Sequence, residues 1–173
     1  MVNIKKDKGF TLLELAVSLL VIVILYGVLS IRLGSMAESA ERAAMYGMLG
    51  QIRQQINLRL ASFYIEGSPH KAKNLLTENP FNWISPTAKQ YAREIKEGAD
   101  EKLLEGRWYF DQSSKKLVYR VQRNKHLKIQ GDEQRNLKFV LKLNGNAADN
   151  LKQGAVYSIK IQSVTPFVWD IES

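Results

Sequence analysis

The sequence predicts an α+β protein: a long N-terminal helix, half membrane-spanning and half amphipathic, packed on a small antiparallel β-sheet domain. Three observations predict it. Phe10 to Ile31 is a run of 22 residues carrying a single charge, Glu14. From Ser35 to Glu66, apolar residues recur at three- or four-residue spacing, the period of a helix with one buried face. Beyond Pro69, short segments alternate apolar and polar residues, the period of a half-buried strand. A helical part followed by a run of strands is the order expected of α+β architecture.

The first element is the apolar run. As a helix it rises about 1.5 Å per residue, or roughly 33 Å, which matches the hydrocarbon core of a bilayer. A soluble core helix would keep a polar face. A cleavable secretory signal has an apolar core of only about 7–15 residues, although Ser35-Met36-Ala37 has the small residues of such a cleavage site. A plain signal anchor accounts for the length and for Lys5, Lys6 and Lys8, which hold the leader in the cytoplasm. It leaves Glu14 unexplained, because an unpaired carboxylate in lipid costs a few kcal/mol.

Lys8-Gly9-Phe10-Thr11-Leu12-Leu13-Glu14 joins a basic leader, a glycine, an apolar residue and a glutamate at fixed spacing. This resembles the processing site of the type IV pilin superfamily, which includes the pseudopilins of type II secretion, and the resemblance covers Lys8 to Arg32. It implies cleavage between Gly9 and Phe10 by a prepilin peptidase on the cytoplasmic side, then methylation of the new Phe10 amine. It also implies that Glu14 supports assembly by pairing with the amine of a neighbouring subunit. The partners implied are the peptidase, other pilin or pseudopilin subunits and an inner-membrane assembly platform.

Local physics agrees with that arrangement. Gly9 has no side chain, so an extended backbone can approach a protease closely. Cutting there removes the lysines and leaves the anchor. The new amine can neutralise Glu14, either within one helix, where Phe10 and Glu14 are one turn apart, or between subunits. The competing reading leaves Glu14 idle at the headgroup level.

The second element continues the helix. Ala37, Ala40, Ala44, Met48, Ile52, Ile56, Leu60 and Phe63 form the stripe, and Glu38, Glu41, Arg42, Gln51, Arg53, Gln54, Gln55 and Arg59 mark the other faces. No proline precedes Pro69. Many pilins carry a helix-kinking proline in the membrane run; here Gly27 and Gly34 are weak spots instead. Gly67-Ser68-Pro69 ends the helix. The expected organisation is a leader (1–9), a transmembrane helix (10–31), its amphipathic continuation (32–66) and a globular α+β domain (67–173). The chain would cross the bacterial inner membrane once, with its N-terminus cytoplasmic and the domain periplasmic or built into a pilus or pseudopilus.

The remaining elements form the domain. Asn79 to Trp83 is a turn whose aromatics pin a loop to the core. Thr87 to Glu97 reads as a short helix with Tyr91 and Ile95 on one side. Arg107–Asp111 and Lys116–Val121 flank a Gln112–Lys115 turn, a hairpin signal. Leu137, Phe139, Leu141 and Leu143 alternate with Lys138, Val140 and Lys142, and Tyr157, Ile159 and Ile161 with Ser158 and Lys160. After Pro166, Phe167 to Ile171 makes a last edge strand, giving four or five antiparallel strands.

The chain has no cysteine and two histidines, His70 and His126, and shows no phosphate-binding glycine loop, His-x-x-x-His pair or EF-hand. The expectation is a non-enzyme without cofactor or metal. Asn144 to Asn150 is oxygen-rich but holds one carboxylate, Asp149, whereas calcium takes six to eight oxygen ligands; it reads as a plain loop. Lys115 to Lys128 contains six basic residues, no acidic ones, and Tyr119. It reads as a solvated strand face, with contact to a nucleic acid or other polyanion as the secondary reading. The formal charge of +8 asks for no more than solubility.

The chain thus reads as a structural subunit, a minor pilin or pseudopilin. Major type IV pilins close a late loop with a disulfide that this chain cannot form. The alternative is a membrane-anchored binding module that never polymerises, an adhesin or polyanion receptor.

Overall fold

The computed structural model describes residues 10–84, 90–96, 103–130, 135–144 and 158–171. Residues 1–9 with Gly9, the 145–150 part of the oxygen-rich loop, and Tyr157 lie outside the described residues. Two compact units divide the chain, Met1–Glu38 and Ser39–Ser173. Helix α1, Leu12–Ile65, contributes residues to both.

In the first unit the apolar side chains from Phe10 to Leu33 are exposed. The hydroxyls of Ser18 and Ser30 donate to the carbonyls of Glu14 and Tyr26, each at 2.8 Å. A hydroxyl satisfied within its own helix needs no water, so these serines are compatible with lipid. The α-helix runs unbroken through Gly27 and Gly34.

In the second unit α1 buries Met45, Met48, Leu49, Ile52, Ile56 and Leu60. The expected stripe holds from Met48 onward, but Ala40 is exposed and Ala44 only half-buried, and Met45 takes the core position. Glu41, expected on the polar faces, is buried, and Arg42 is half-buried. The helix ends at Gly67, whose φ of +66° suits a residue without a Cβ. The Gly67 N–H reaches the Tyr64 carbonyl at 3.1 Å and the Ser68 N–H the Phe63 carbonyl at 2.8 Å. That pair of bonds satisfies carbonyls left over at a helix C-terminus.

Two 3₁₀ helices follow, Pro69–Leu76 and Pro80–Trp83. The Asn79 side chain caps the second by accepting the Phe81 N–H at 3.0 Å. Phe81 is buried, and the Arg59 guanidinium lies 5.0 Å from the centre of the Trp83 ring. The aromatics of this turn do pin it to the core.

The strands are β1 (Tyr91–Ile95), β2 (Arg107–Asp111), β3 (Lys116–Arg120), β4 (Leu127–Ile129), β5 (Asn136–Asn144), β6 (Ser158–Ser163) and β7 (Phe167–Trp169). Among the described residues five of them form one sheet in the order β1-β2-β3-β5-β6, and β4 pairs with β7 in a separate ribbon. The β2–β3 hairpin and the β5 and β6 strands stand where the alternation placed them. β7 keeps its predicted start but lies in the ribbon.

The sheet is mixed rather than antiparallel throughout, because β1 runs parallel to β2. Over Tyr91–Ile95 a strand stands where a helix was expected across Thr87–Glu97, of which residues 87–89 and 97 lie outside the described residues. A spacing of four fits both periods, so Tyr91 and Ile95 could not separate them. The register shifts between Tyr91 and Arg93, and such a bulge turns the strand over. Tyr91 packs against the main core, stacked on Phe81 at 4.4 Å, while Ile95 joins Leu103, Tyr109 and Val118 on the opposite face.

Trp108, Phe110, Leu117, Tyr119, Leu137, Phe139, Leu141 and Ile159 turn one face of the sheet toward α1. Trp108 is fully buried, 4.9 Å from Tyr119 and 5.7 Å from Phe139 between ring centres. The second cluster means that β3 is not half-exposed as expected: Val118, on the face of Lys116 and Arg120, is buried under Ile95, Leu103 and Tyr109.

Candidate functional site

In the N-terminal segment Phe10, the first described residue, is exposed and precedes the helix. Thr11 caps α1: its Oγ1 accepts the Glu14 N–H at 3.2 Å, and its carbonyl accepts the Leu15 N–H at 3.1 Å. Thr-x-x-Glu is a helix-start signature, with the acid in the first turn where the macrodipole favours negative charge. Thr11-Leu12-Leu13-Glu14 was readable for this from the residues alone. The cap uses the backbone of Glu14, so its exposed carboxylate is left available to a cation. Phe10 and Glu14 thus sit together at the start of one helix; Gly9, the third predicted site residue, lies outside the described residues.

A second carboxylate, in the other unit, escaped the sequence reading. Glu41 occupies the helical register of Met45, Met48, Ile52 and Ile56, with a side chain only 6% exposed. Its Oε1 accepts the Gln122 N–H at 2.7 Å and the Tyr119 hydroxyl at 3.2 Å. Its Oε2 accepts the Arg123 N–H at 3.0 Å and lies 3.6 Å from Arg123 Nη1. Burial, the neighbouring Glu41 charge and the hydrogen bond to it push the Tyr119 phenol well above its ordinary range, so it remains a donor. Beside Glu41, Arg42 Nη1 donates to the Trp169 carbonyl at 2.7 Å. An acid and a base on α1 therefore hold the chain after β3 and the end of β7. An acid in register with the core stripe was the available signal.

The basic stretch is dispersed. Lys115 adopts a φ of +55° in the hairpin turn, and half-buried Arg120 donates to Asn136 Oδ1 at 3.2 Å. Arg123 is tied to Glu41, while Lys125 and Lys128 are exposed beside half-buried His126. His70 is exposed on the first 3₁₀ helix. Among the described residues no group of three or more metal-ligating side chains is gathered.

Comparison with known proteins bears on the N-terminal segment alone. Residues 4–29 match the family profile described as the prokaryotic N-terminal methylation motif, a range that includes Gly9, Phe10 and Glu14. No curated protein and no solved structure matches the chain. The helix that begins within the motif is long and apolar enough to cross a membrane. The lysines, the glycine, the capped helix start and the apolar run all fall within or adjoin this match, and the chain carries the prokaryotic N-terminal methylation motif.

Proposed function

We propose that the chain is a structural subunit, a minor pilin or pseudopilin, of a type IV pilus or type II secretion-like filament. Prepilin peptidase cuts it after Gly9 and methylates the Phe10 amine. Residues 1–9 are the leader, 10–31 span the inner membrane, 32–66 continue the helix, and 67–173 form a domain outside the cytoplasm. The observation that carries this reading is the methylation motif over residues 4–29, which overlaps an apolar helical run, residues 10–31, whose one acid is Glu14.

Glu14 selects docked over undocked subunits. Left unpaired in lipid, its carboxylate costs a few kcal/mol, and the amine of a neighbouring subunit removes that cost. The family is structural, which fits a chain whose motifs are substrate and assembly elements. Incorporation into filaments, measured in sheared fractions against membrane content, tests the role. Both Glu14→Ala and Glu14→Gln retain the backbone cap to Thr11 and lose the charge. Both are expected to insert normally and to fail to incorporate. Normal incorporation of Glu14→Gln would remove the docking role.

A further inference from the structure

The chain between β3 and β4 and the outer face of the β4–β7 ribbon enclose a concavity of 320 Å³. Lys125, His126, Lys128, Val168 and Asp170 line it. Leu127, Ile129, Phe167 and Trp169 pack into the core, so alternation along the strands turns Lys128 and Val168 outward. These two are register partners, and Val168 is 60% exposed, an apolar floor beside a cation.

The backbone that presents these groups is held at both ends. Glu41 accepts the N–H groups of Gln122 and Arg123 just before Lys125, and Arg42 holds the Trp169 carbonyl between Val168 and Asp170. A solvated loop has no need of a buried carboxylate to hold its shape. Cations on a fixed backbone bind an anion at a smaller entropic cost than cations on a mobile loop.

We propose that this concavity binds an acidic peptide segment of a partner protein, with its carboxylates on Lys125 and Lys128 and an apolar side chain on Val168. Asp170 accepts a peptide N–H from the same segment and disfavours an unbroken row of phosphates. Among the described residues the lining offers no Phe, Tyr or Trp on which nucleic-acid bases would stack. The site lies wholly in the second unit and stands whether or not the N-terminus is processed.

Fluorescence anisotropy of a fluorescein-labelled peptide of alternating Glu and Val, titrated with the full chain in detergent micelles, tests this. Binding is expected, and Lys125→Glu/Lys128→Glu should weaken it about tenfold or more, a loss suited to two reversed charges. Val168→Asp should weaken it as well. The exposed Lys96 and Lys160 lie elsewhere, and reversing that pair should change nothing. On the parent chain, a Lys/Val peptide of equal length should not bind. Equal losses from both lysine pairs, absence of binding, or tighter binding of an oligothymidine than of the acidic peptide would each overturn the proposal.

Discussion

Glu41 is the residue on which the second unit most visibly depends. A buried carboxylate is stabilising only when its partners are complete, and removing one side of such an arrangement strands the other. Glu41→Ala leaves the N–H groups of Gln122 and Arg123 and the Tyr119 hydroxyl without their acceptor, and should cost on the order of 3 kcal/mol. Arg123→Ala should cost less than about 1 kcal/mol, because its side chain is 42% exposed and solvent screens the pair. Trp83, Trp108 and Trp169 all lie in this unit, so urea unfolding followed by tryptophan fluorescence reads it without interference from the apolar run. A larger loss for Arg123→Ala than for Glu41→Ala would contradict the assignment. Asp111 offers a test by pH. Burial acts to raise its pKa, but the hydroxyl and N–H of Ser114, the Ser113 N–H and the Lys116 charge together hold it below the usual value. A depressed folded-state pKa contributes stability above the unfolded value of about 3.9, and that contribution is lost as pH falls through the folded value. The parent should therefore lose stability on acidification below about pH 4 more steeply than Asp111→Asn.

At the level of elements, α1 draws on two different sources of order. Before Ser35 it is apolar on all sides, and beyond Ser39 it is anchored by one buried face. Ile52→Ala and Ile56→Ala should each destabilise the second unit by about 2–5 kcal/mol, since each deletes fully buried atoms. Leu20→Ala, in the other unit, should leave the same urea transition unmoved. The C-terminal cap is also testable: Gly67→Ala forces a Cβ into a φ of +66° and should cost about 1 kcal/mol by the same measurement. The long helix, the β2–β3 hairpin and β5 were legible because each carries its own period and its own end signals. β1 was not, since Tyr91-Ala-Arg-Glu-Ile95 is rich in helix formers, and its strand form comes from parallel pairing with distant β2. β4 was missed because three residues are too few to show a period. Glu41 was misplaced because polar residues on a stripe read as surface, whereas its partners come from 78 to 82 positions away.

At the scale of the whole molecule, the two units divide the labour the account assigns them. One carries the motif and the membrane-length helix; the other carries the sheet, the core and the lysine-lined concavity. The N-terminal methylation motif was legible in the sequence, because it is a short contiguous stretch that needs no tertiary fold. The concavity was not, since Lys125 and Val168 meet only through the pairing of β4 with β7. The central claim is that Gly9 and Phe10 form a cut site, and intact mass of the membrane-extracted chain, with and without prepilin peptidase, tests it most directly. With the peptidase, the chain should begin at Phe10 and carry one added methyl group; without it, the mass should retain residues 1–9. A chain that still begins at Met1, or begins at Glu38, when the peptidase is present would contradict the account.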